Sequence, residues 1–173
     1  GLYDYSQGGM LYLAEELLAA GAREGGLIES IAFEFVRWRV PYRAENQTIR
    51  MFHTRAAEFP RRSLPSYQEM GVRDEMVVKA PFQFFIVANG WMVIPLDRPF
   101  LWDGVSNLII SWESRDGHWE SGFGWLKGDG RLNARSQAWY ADDGYPVRDS
   151  SFPNGRPNLK INSSDEGEEP VIR

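Results

Sequence analysis

The chain has 173 residues, of which 43% are hydrophobic and 14% aromatic, and a formal net charge of −5. This length suffices for one domain with a buried core, and the apolar content excludes intrinsic disorder. The charge is concentrated in residues 163–173, which hold four acids and one base and leave 20 acids against 18 bases elsewhere. A near-neutral body argues against a nucleic-acid-binding protein, which normally carries a basic excess.

The scarce residue types narrow the chemistry further. There is no cysteine, which excludes thiolate metal sites, cysteine nucleophiles and disulfides, and the two histidines argue against a histidine-built zinc site. No apolar run approaches the roughly 18 residues of a membrane helix, so membrane insertion is not predicted. No signal peptide is recognisable, and the chain opens at Gly1 rather than at methionine, which favours a processed protein or an excised piece.

The first segments are an extended stretch and a helix. Residues 1–9 are rich in glycine and tyrosine and are predicted to form an extended N-terminal arm. Met10–Ala20 is predicted as a helix, because leucine, alanine and glutamate are strong helix formers. Gly21 follows at the position of a C-terminal cap.

Alternation of apolar and polar residues then predicts a strand over Leu27–Val36. Its apolar side consists of Ile31, Phe33 and Phe35. Thr48–His53 is predicted as its partner strand. Further on, Met76–Ala80 and Phe82–Val87 are predicted as two strands separated by Pro81, and Asn89-Gly90 matches a two-residue hairpin turn.

Two β-rich runs, Trp91–Leu96 and Leu108–Trp112, flank the polar turn 102–107. Pro95 and Pro99 punctuate the first run, which predicts that its far end is not a central strand. The later strands are predicted at 107–114, 119–125, 134–141 and 157–161, with Asp-Gly and Gly-Asp-Gly turns between them.

These elements predict an all-β fold, an antiparallel β-sandwich of jelly-roll-like type with one short N-terminal helix. The predicted organisation is an arm over 1–9, a sandwich domain over 10–162 and an acidic C-terminal linker or arm over 163–173. The predicted core includes six residues: Ile31, Phe33, Phe35, Val93, Leu108 and Ile110.

Four aromatic residues of the late strands are candidate ligand-binding residues: Trp119, Trp125, Trp139 and Tyr140. Polar residues are interleaved with them, and a flat aromatic face with polar groups around it is the usual way to hold a sugar ring. The alternative is that these rings fill the sandwich core, which the alternation of residues 119–125 favours.

Two turns are candidate calcium sites, because calcium takes oxygen ligands on bent backbone. One turn carries Asp142 and Asp143, and the other carries Asp103 and Asn107. The alternative is that aspartate and glycine simply form turns. The expected cofactor is therefore none, or one structural calcium.

A glycoside hydrolase would need two facing carboxylates about 5–9 Å apart. Glu113 and Glu120 flank the Asp116-Gly117 turn and could lie across a hairpin, beside two tryptophans. The alternative is that both are solvated charges beside a turn. No catalytic residue is predicted.

Six segments, in this order, carry a family resemblance: 10–17 (MLYLAEEL), 26–33 (GLIESIAF), 90–96 (GWMVIPL), 99–104 (PFLWDG), 107–110 (NLII) and 156–159 (RPNL). The chain resembles an accessory β-sandwich module of large secreted and surface proteins of Bacteroidota and related bacteria. The resemblance implies a secreted or cell-surface location and a role in spacing, adhesion, glycan binding or assembly. It carries over no catalytic residue, and similar jelly-roll modules of secreted adhesins often hold structural calcium.

The predicted function is a non-catalytic extracellular adhesion or assembly module of a larger bacterial surface structure. Its expected partners are neighbouring modules of the same or a larger protein, with glycans as a second class and no nucleic acid. A carbohydrate-binding module is the alternative, and a glycoside hydrolase is the third possibility. Residues 1–9 and Glu169–Arg173 are either linkers or arms that contact a neighbour, with Val171-Ile172 anchoring one arm in an apolar groove.

Overall fold

Two antiparallel β-sheets of the described residues pack face to face, and this confirms the predicted all-β sandwich with one short helix. The computed structural model describes residues 4–36, 42–60, 73–117, 125–131, 134–144, 149–151, 155–163 and 171–172. The strands are β1 (Tyr5–Tyr12), β2 (Leu27–Val36), β3 (Tyr42–Thr54), β4 (Val77–Ile86), β5 (Gly90–Leu101), β6 (Asn107–Ser114), β7 (Trp125–Leu126), β8 (Gly128–Asp129), β9 (Ser136–Ala141), β10 (Asp149–Ser151), β11 (Arg156–Pro157), β12 (Leu159–Ser163) and β13 (Val171–Ile172). The described α-helix is α1 (Ala14–Ala19), and a short 3-10 helix covers Asp74–Met76.

The larger sheet has six strands in the order β10-β9-β1-β6-β3-β4, and the smaller has the order β13-β12-β2-β5, with β7 also pairing with β2. Strands β8 and β11 form a separate two-stranded ladder. The side chains between the two main sheets form one apolar cluster, to which β1, β3 and β6 contribute from one sheet and β2, β5 and β12 from the other. A two-residue period in each strand gives both sheets an inner and an outer face.

The structure contradicts the sequence prediction for the N-terminal segment. Residues 5–9 are not an arm, because β1 lies in the middle of the six-stranded sheet, where Gly9 is opposite Gln137 on one side and Ser111 on the other. Residues 10–12 also belong to this strand rather than to the helix. The ladder bonds on both sides outweigh the helix propensity of these residues, since propensity is a weak preference that tertiary context overrides.

Helix α1 therefore begins later than predicted, and its ends follow from local hydrogen bonds. The Glu16 carboxylate accepts a hydrogen bond from the backbone N–H of Leu13 at 2.7 Å, which satisfies a free donor at the start of the helix. Gly21 has a φ of 101° and its N–H donates to the Leu18 carbonyl. The predicted glycine cap is confirmed, because this left-handed conformation ends helices and suits glycine.

Five of the six predicted core residues are buried in the apolar cluster, and Val93 is not. Val93 is 57% exposed, because β5 pairs with β2 so that Ile94 lies opposite the inward-facing Ile31. A strand alternates its faces, so the neighbour of Ile94 has to point outward. The β-propensity of valine identified the strand but not the face.

Strands β4 and β5 depart from the predicted hairpin. The turn at Asn89 and Gly90 does connect them, and Gly90 has a φ of 130°. However, β4 pairs with β3 and β5 pairs with β2 in the described ladders, so this turn passes from one sheet to the other. Pro81 lies within the continuous strand β4, and both strands are at sheet edges, where proline is tolerated.

The C-terminal segment contains a strand, which contradicts a plain linker over 163–173 and agrees with the alternative of an arm anchored by Val171-Ile172. In β13, Val171 lies opposite Lys160 and Ile172 lies opposite Leu159 of β12. Ile172 is 3% exposed and belongs to the core between the sheets. The acidic composition of the preceding residues predicted a linker, whereas two apolar residues suffice to extend the smaller sheet.

Candidate functional site

The predicted aromatic platform is not assembled at the surface by the residues that the structure describes. Trp139 lies on the outer face of the six-stranded sheet, opposite Gln7, and its side chain is fully buried. Tyr140 is half-buried on the opposite face of the same strand. Trp119 and the side chain of Trp125 lie outside the described residues. Trp139 packs in the interior and is not available to stack on a sugar from solvent.

The surroundings of Trp139 form an unusual outer face, which we name the buried polar layer. It consists of Gln7, Arg50, Ser111, Glu113 and Gln137, all of them buried. The register places Gln137, Gly9, Ser111 and Arg50 in one line across strands β9, β1, β6 and β3. Apolar residues of the same strands, among them Leu11, Phe52 and Ile109, continue this face as a second small core.

An ion pair lies in this layer. Arg50 Nη1 contacts Glu113 Oε2 at 2.6 Å, and the Glu113 carboxylate also accepts a hydrogen bond from Arg115. Beside them, Gln7 Nε2 donates to Ser111 Oγ at 2.6 Å. Buried charges need such partners, since an unpaired ion away from water is strongly unfavourable. The Glu113 carboxylate of the hypothetical glycosidase pair is thus engaged with two arginines, and Glu120 lies outside the described residues.

Two members of the layer carry unsatisfied buried atoms, Arg50 at its Nε and Gln137 at its amide. Neither Nε2 nor Oε1 of Gln137 has a hydrogen-bond partner, although the residue is 1% exposed. A buried amide is normally satisfied by protein or by ordered water. Gln137 lies opposite Gly9, which has no side chain to offer a partner.

In the predicted calcium turn at Asp103, the side-chain oxygens of Asp103 and Asn107 accept hydrogen bonds from nearby protein groups. Asp103 Oδ1 accepts hydrogen bonds from the N–H groups of Val105 and Ser106, and Oδ2 accepts one from Ser106 Oγ at 2.6 Å. Asn107 Oδ1 accepts from the N–H of Ala14. These contacts are those of an aspartate-initiated turn. Asp103 and Asn107 thus stabilise the turn and the start of α1 and do not converge on a common point.

These hydrogen bonds also set the acidity of Asp103. The bonds from Ser106, first from its hydroxyl and then from its N–H, lower the pKa of Asp103 to about 2. A group whose folded-state pKa is depressed contributes stability above its unfolded-state pKa and loses it as the pH falls through the folded value. We therefore expect part of the acid-induced loss of stability between pH 3.8 and 2 to come from this carboxyl.

Asp103→Asn should make stability less dependent on pH in this window, as measured by urea unfolding at stepped pH. Ser106→Ala provides the matched control, because it removes one donor and keeps the carboxyl. That variant should raise the pKa of Asp103 and move the loss of stability to higher pH. Identical pH profiles for all three proteins would contradict the assignment.

The second predicted calcium turn is solvated. Asp142 and Asp143 are both exposed, and Asp142 Oδ1 is 3.4 Å from the backbone N of Asp4. No group of three potential ligands among histidine, aspartate and glutamate is found within the described ranges. The calcium site stays a prediction, and thermal melts with calcium or a chelator would test it.

A cleft of about 480 Å³ lies at one end of the sandwich, and we name it the Gly8 cleft. It is bounded by the following residues: Ser6, Gly8, Met10, Trp112, Leu126, Ser136, Ala138, Gly155, Arg156 and Pro157. Gly8 lies opposite Trp112 and Ala138, and a Cβ built on it would meet nothing within 4 Å. Glycine inside a strand often marks a place where a ligand approaches the backbone.

One wall of the Gly8 cleft is held by Arg156, which sequence reasoning missed. Its Nη1 contacts Glu16 Oε2 at 2.6 Å and donates to the Leu11 carbonyl, and its guanidinium lies 4.4 Å from the centre of the Tyr12 ring. The Tyr12 hydroxyl donates to the Pro157 carbonyl at 2.8 Å, and burial raises the pKa of Tyr12 far above its usual value. This cluster ties α1 and β11 to β1.

The empty space at Gly8 predicts a stabilising substitution. Gly8→Ala should raise the free energy of unfolding by about 0.5–1 kcal/mol, because alanine loses less backbone entropy than glycine in a strand. The control is Gly128→Ala, whose Cβ would overlap the backbone of Arg156 and should destabilise the protein. Chemical denaturation measures both, and a destabilised Gly8→Ala variant would mean that the cleft is narrower than described.

No family model, curated protein or solved structure matches this chain. The part of the chain that the structure describes has no helix long and apolar enough to cross a bilayer. The candidate sites thus rest on geometry: a buried polar layer on the larger sheet, the Gly8 cleft between the sheets, and an outer face of the smaller sheet that is considered next.

Proposed function

We propose that this chain is a non-catalytic adhesion or assembly module of a secreted or cell-surface bacterial structure. The observation that carries the proposal is the outer face of the smaller sheet, where apolar side chains remain exposed. Leu27 is 42% exposed and its cross-strand partner Leu101 is 57% exposed, as is Val93. Antiparallel sheets usually place polar residues on a solvated face, so an apolar outer face indicates a docking surface.

The extent of this outer apolar face follows from the register. Phe33 and Phe35 point inward, so Val36 and the half-buried Trp91, which is opposite Glu34, point outward. Lys160 Nζ lies 4.9 Å from the centre of the Trp91 ring, and Lys127 Nζ contacts Glu34 Oε1 at 2.8 Å. The face is therefore apolar with a few charges among its members, as expected of a surface that contacts a neighbouring module.

A charge test addresses this proposal. The double substitution Val93→Lys with Leu101→Lys places two ammonium groups on the outer apolar face and should weaken self-association, measured by sedimentation equilibrium over a concentration series. The control is Val105→Lys, which makes the same chemical change at a residue that is 74% exposed and lies in the turn after β5. A chain that stays monomeric throughout, with and without the substitutions, would speak against assembly through this face.

A glycan-binding module is the second candidate, and the Gly8 cleft favours it. The half-buried Trp112 lines this cleft, and its indole Nε1 is held by Gln47 Oε1 at 2.7 Å. An aromatic wall with a few polar groups is typical of small-ligand sites. Gly8→Leu should fill the cleft and abolish any change in tryptophan fluorescence on titration with glycans. An unaltered glycan response in that variant would exclude the cleft.

A further inference from the structure

The short strand β13 lies at a sheet edge that the same strand of another copy can also occupy. It contributes two residues to the edge of the smaller sheet, and one of them, Ile172, inserts between the sheets with an exposure of only 3%. Its neighbour β12 pairs with β2 on the other side, so removal of β13 would leave β12 as the sheet edge beside an apolar vacancy. Edge strands with free N–H and carbonyl groups readily accept another strand.

The sequence between β12 and β13 bears on which chain supplies this strand. Residues 164–170 carry four carboxylates, Asp165, Glu166, Glu168 and Glu169, and no base. Like charges in a linker repel one another, which raises the free energy of bringing the two ends of the linker together at low salt. β13 makes the same ladder contacts whether it comes from its own chain or from a neighbour. The charge repulsion within residues 164–170 and the local concentration of the strand therefore decide which of the two arrangements is favoured.

We propose that β13 is exchanged between copies, so that Val171 and Ile172 of one copy pair with β12 of the next. This inference rests on the proposed role in assembly and identifies a second, directional contact besides the outer apolar face. In such an exchange each copy donates one strand and accepts one. A contact of this heterologous type generates open chains unless the geometry closes a ring.

The absence of cysteine from the sequence makes a direct test possible. Lys160 and Val171 are cross-strand partners, and directly opposite residues in an antiparallel pair have Cα atoms about 4.5–5.5 Å apart, within the range of a disulfide. Two single-cysteine chains, K160C and V171C, are unfolded, mixed, refolded together and oxidised, and the products are resolved by intact mass. Strand exchange should give the heterodisulfide in excess over both homodisulfides.

The control pair reports contacts that do not involve exchange. Ala32 and Val93 are partners in the same sheet and point to its outer side, where Val93 is exposed and Ala32 is buried, but they join β2 to β5. A32C and V93C chains treated in the same way should give no excess of the heterodisulfide. The yield from K160C and V171C should also fall as the salt concentration is raised toward about 1 M, where the screening length is about 3 Å and the linker charges no longer repel.

The outcomes separate this proposal from the proposed function. If the mixed chains give the heterodisulfide only at the statistical proportion, and the double variant K160C/V171C forms an intramolecular bond, β13 stays in its own copy and the exchange is refuted. Self-association that persists in that case, and that V93K/L101K abolishes, would leave the assembly role intact. An excess of heterodisulfide that Ile172→Asp in the V171C chain removes would establish exchange through the core groove.

Discussion

Replacement of Phe33 by alanine should lower the free energy of unfolding by about 3–5 kcal/mol, the cost of a large cavity in a packed core. Phe33 is fully buried, and its ring centre lies 5.6 Å from that of Trp112 on the facing sheet. Its strand neighbours are Met92 on one side and Leu159 on the other. The ring thus contacts both sheets, and its removal affects the packing between them.

Val93→Ala is the matched control for that substitution, since it also truncates an apolar residue of the smaller sheet. Val93 is more than half exposed on the outer face, so its truncation should change stability by less than about 0.5 kcal/mol. Urea unfolding followed by tryptophan fluorescence measures both variants. A loss below about 1 kcal/mol for Phe33→Ala would mean that the ring is not enclosed as described.

The second large effect concerns the ion pair of the buried polar layer. Glu113→Ala should destabilise the protein by about 3–5 kcal/mol, because it leaves the buried Arg50 guanidinium without its main counter-charge. The side chain of Glu113 is 2% exposed and that of Arg50 is 9% exposed. The remaining partner of Arg50, Asp74 at 3.3 Å, has a fully exposed side chain and compensates little.

Simultaneous removal of both charges is the informative control. Arg50→Met with Glu113→Leu replaces the pair by apolar residues of similar size, and such replacements are often neutral or stabilising. The double variant should therefore be more stable than Glu113→Leu alone, and the single variants Glu113→Leu and Arg50→Met complete the double-mutant cycle that measures the coupling. If the stability losses of the two single variants simply add in the double variant, Arg50 and Glu113 are not coupled, and the enclosed environment assigned to the ion pair is wrong.

The sequence predicted the features that depend on local pattern. Alternation identified β2 and its inward face at Ile31 and Phe33, the prolines placed β5 at an edge, and Gly21 marked the end of the helix. The same reasoning failed where distant partners decide the structure. Residues 5–12 became a central strand because β6 and β9 flank them, and Val93 took the outer face because of the register between β5 and β2.

The candidate sites were less accessible to sequence reasoning for the same physical reason. The buried polar layer arises from the register of β1, β3, β6 and β9, and no local pattern relates Gln7 to Glu113 or to Trp139. The Asp103 turn was identified as a candidate because its residue types were informative, although they suit a turn as well as they suit calcium. The one local signal for the Gly8 cleft was a pair of glycines within an otherwise β-forming segment.

The central position of β1 has a consequence for how the molecule reaches its fold. On one side β1 pairs with β6, which lies in the middle of the sequence together with β3 and β4. On the other side it pairs with β9, which follows β1 by roughly 130 residues along the chain. Sheets built from such distant segments fold slowly, on a scale of about milliseconds to seconds. At about 5–20 residues per second, a ribosome takes of the order of 10 s to deliver β9 after β1. β1 is therefore synthesised early and remains unpaired on at least one side until β9 has been synthesised. The larger sheet is completed after most of the chain has been synthesised.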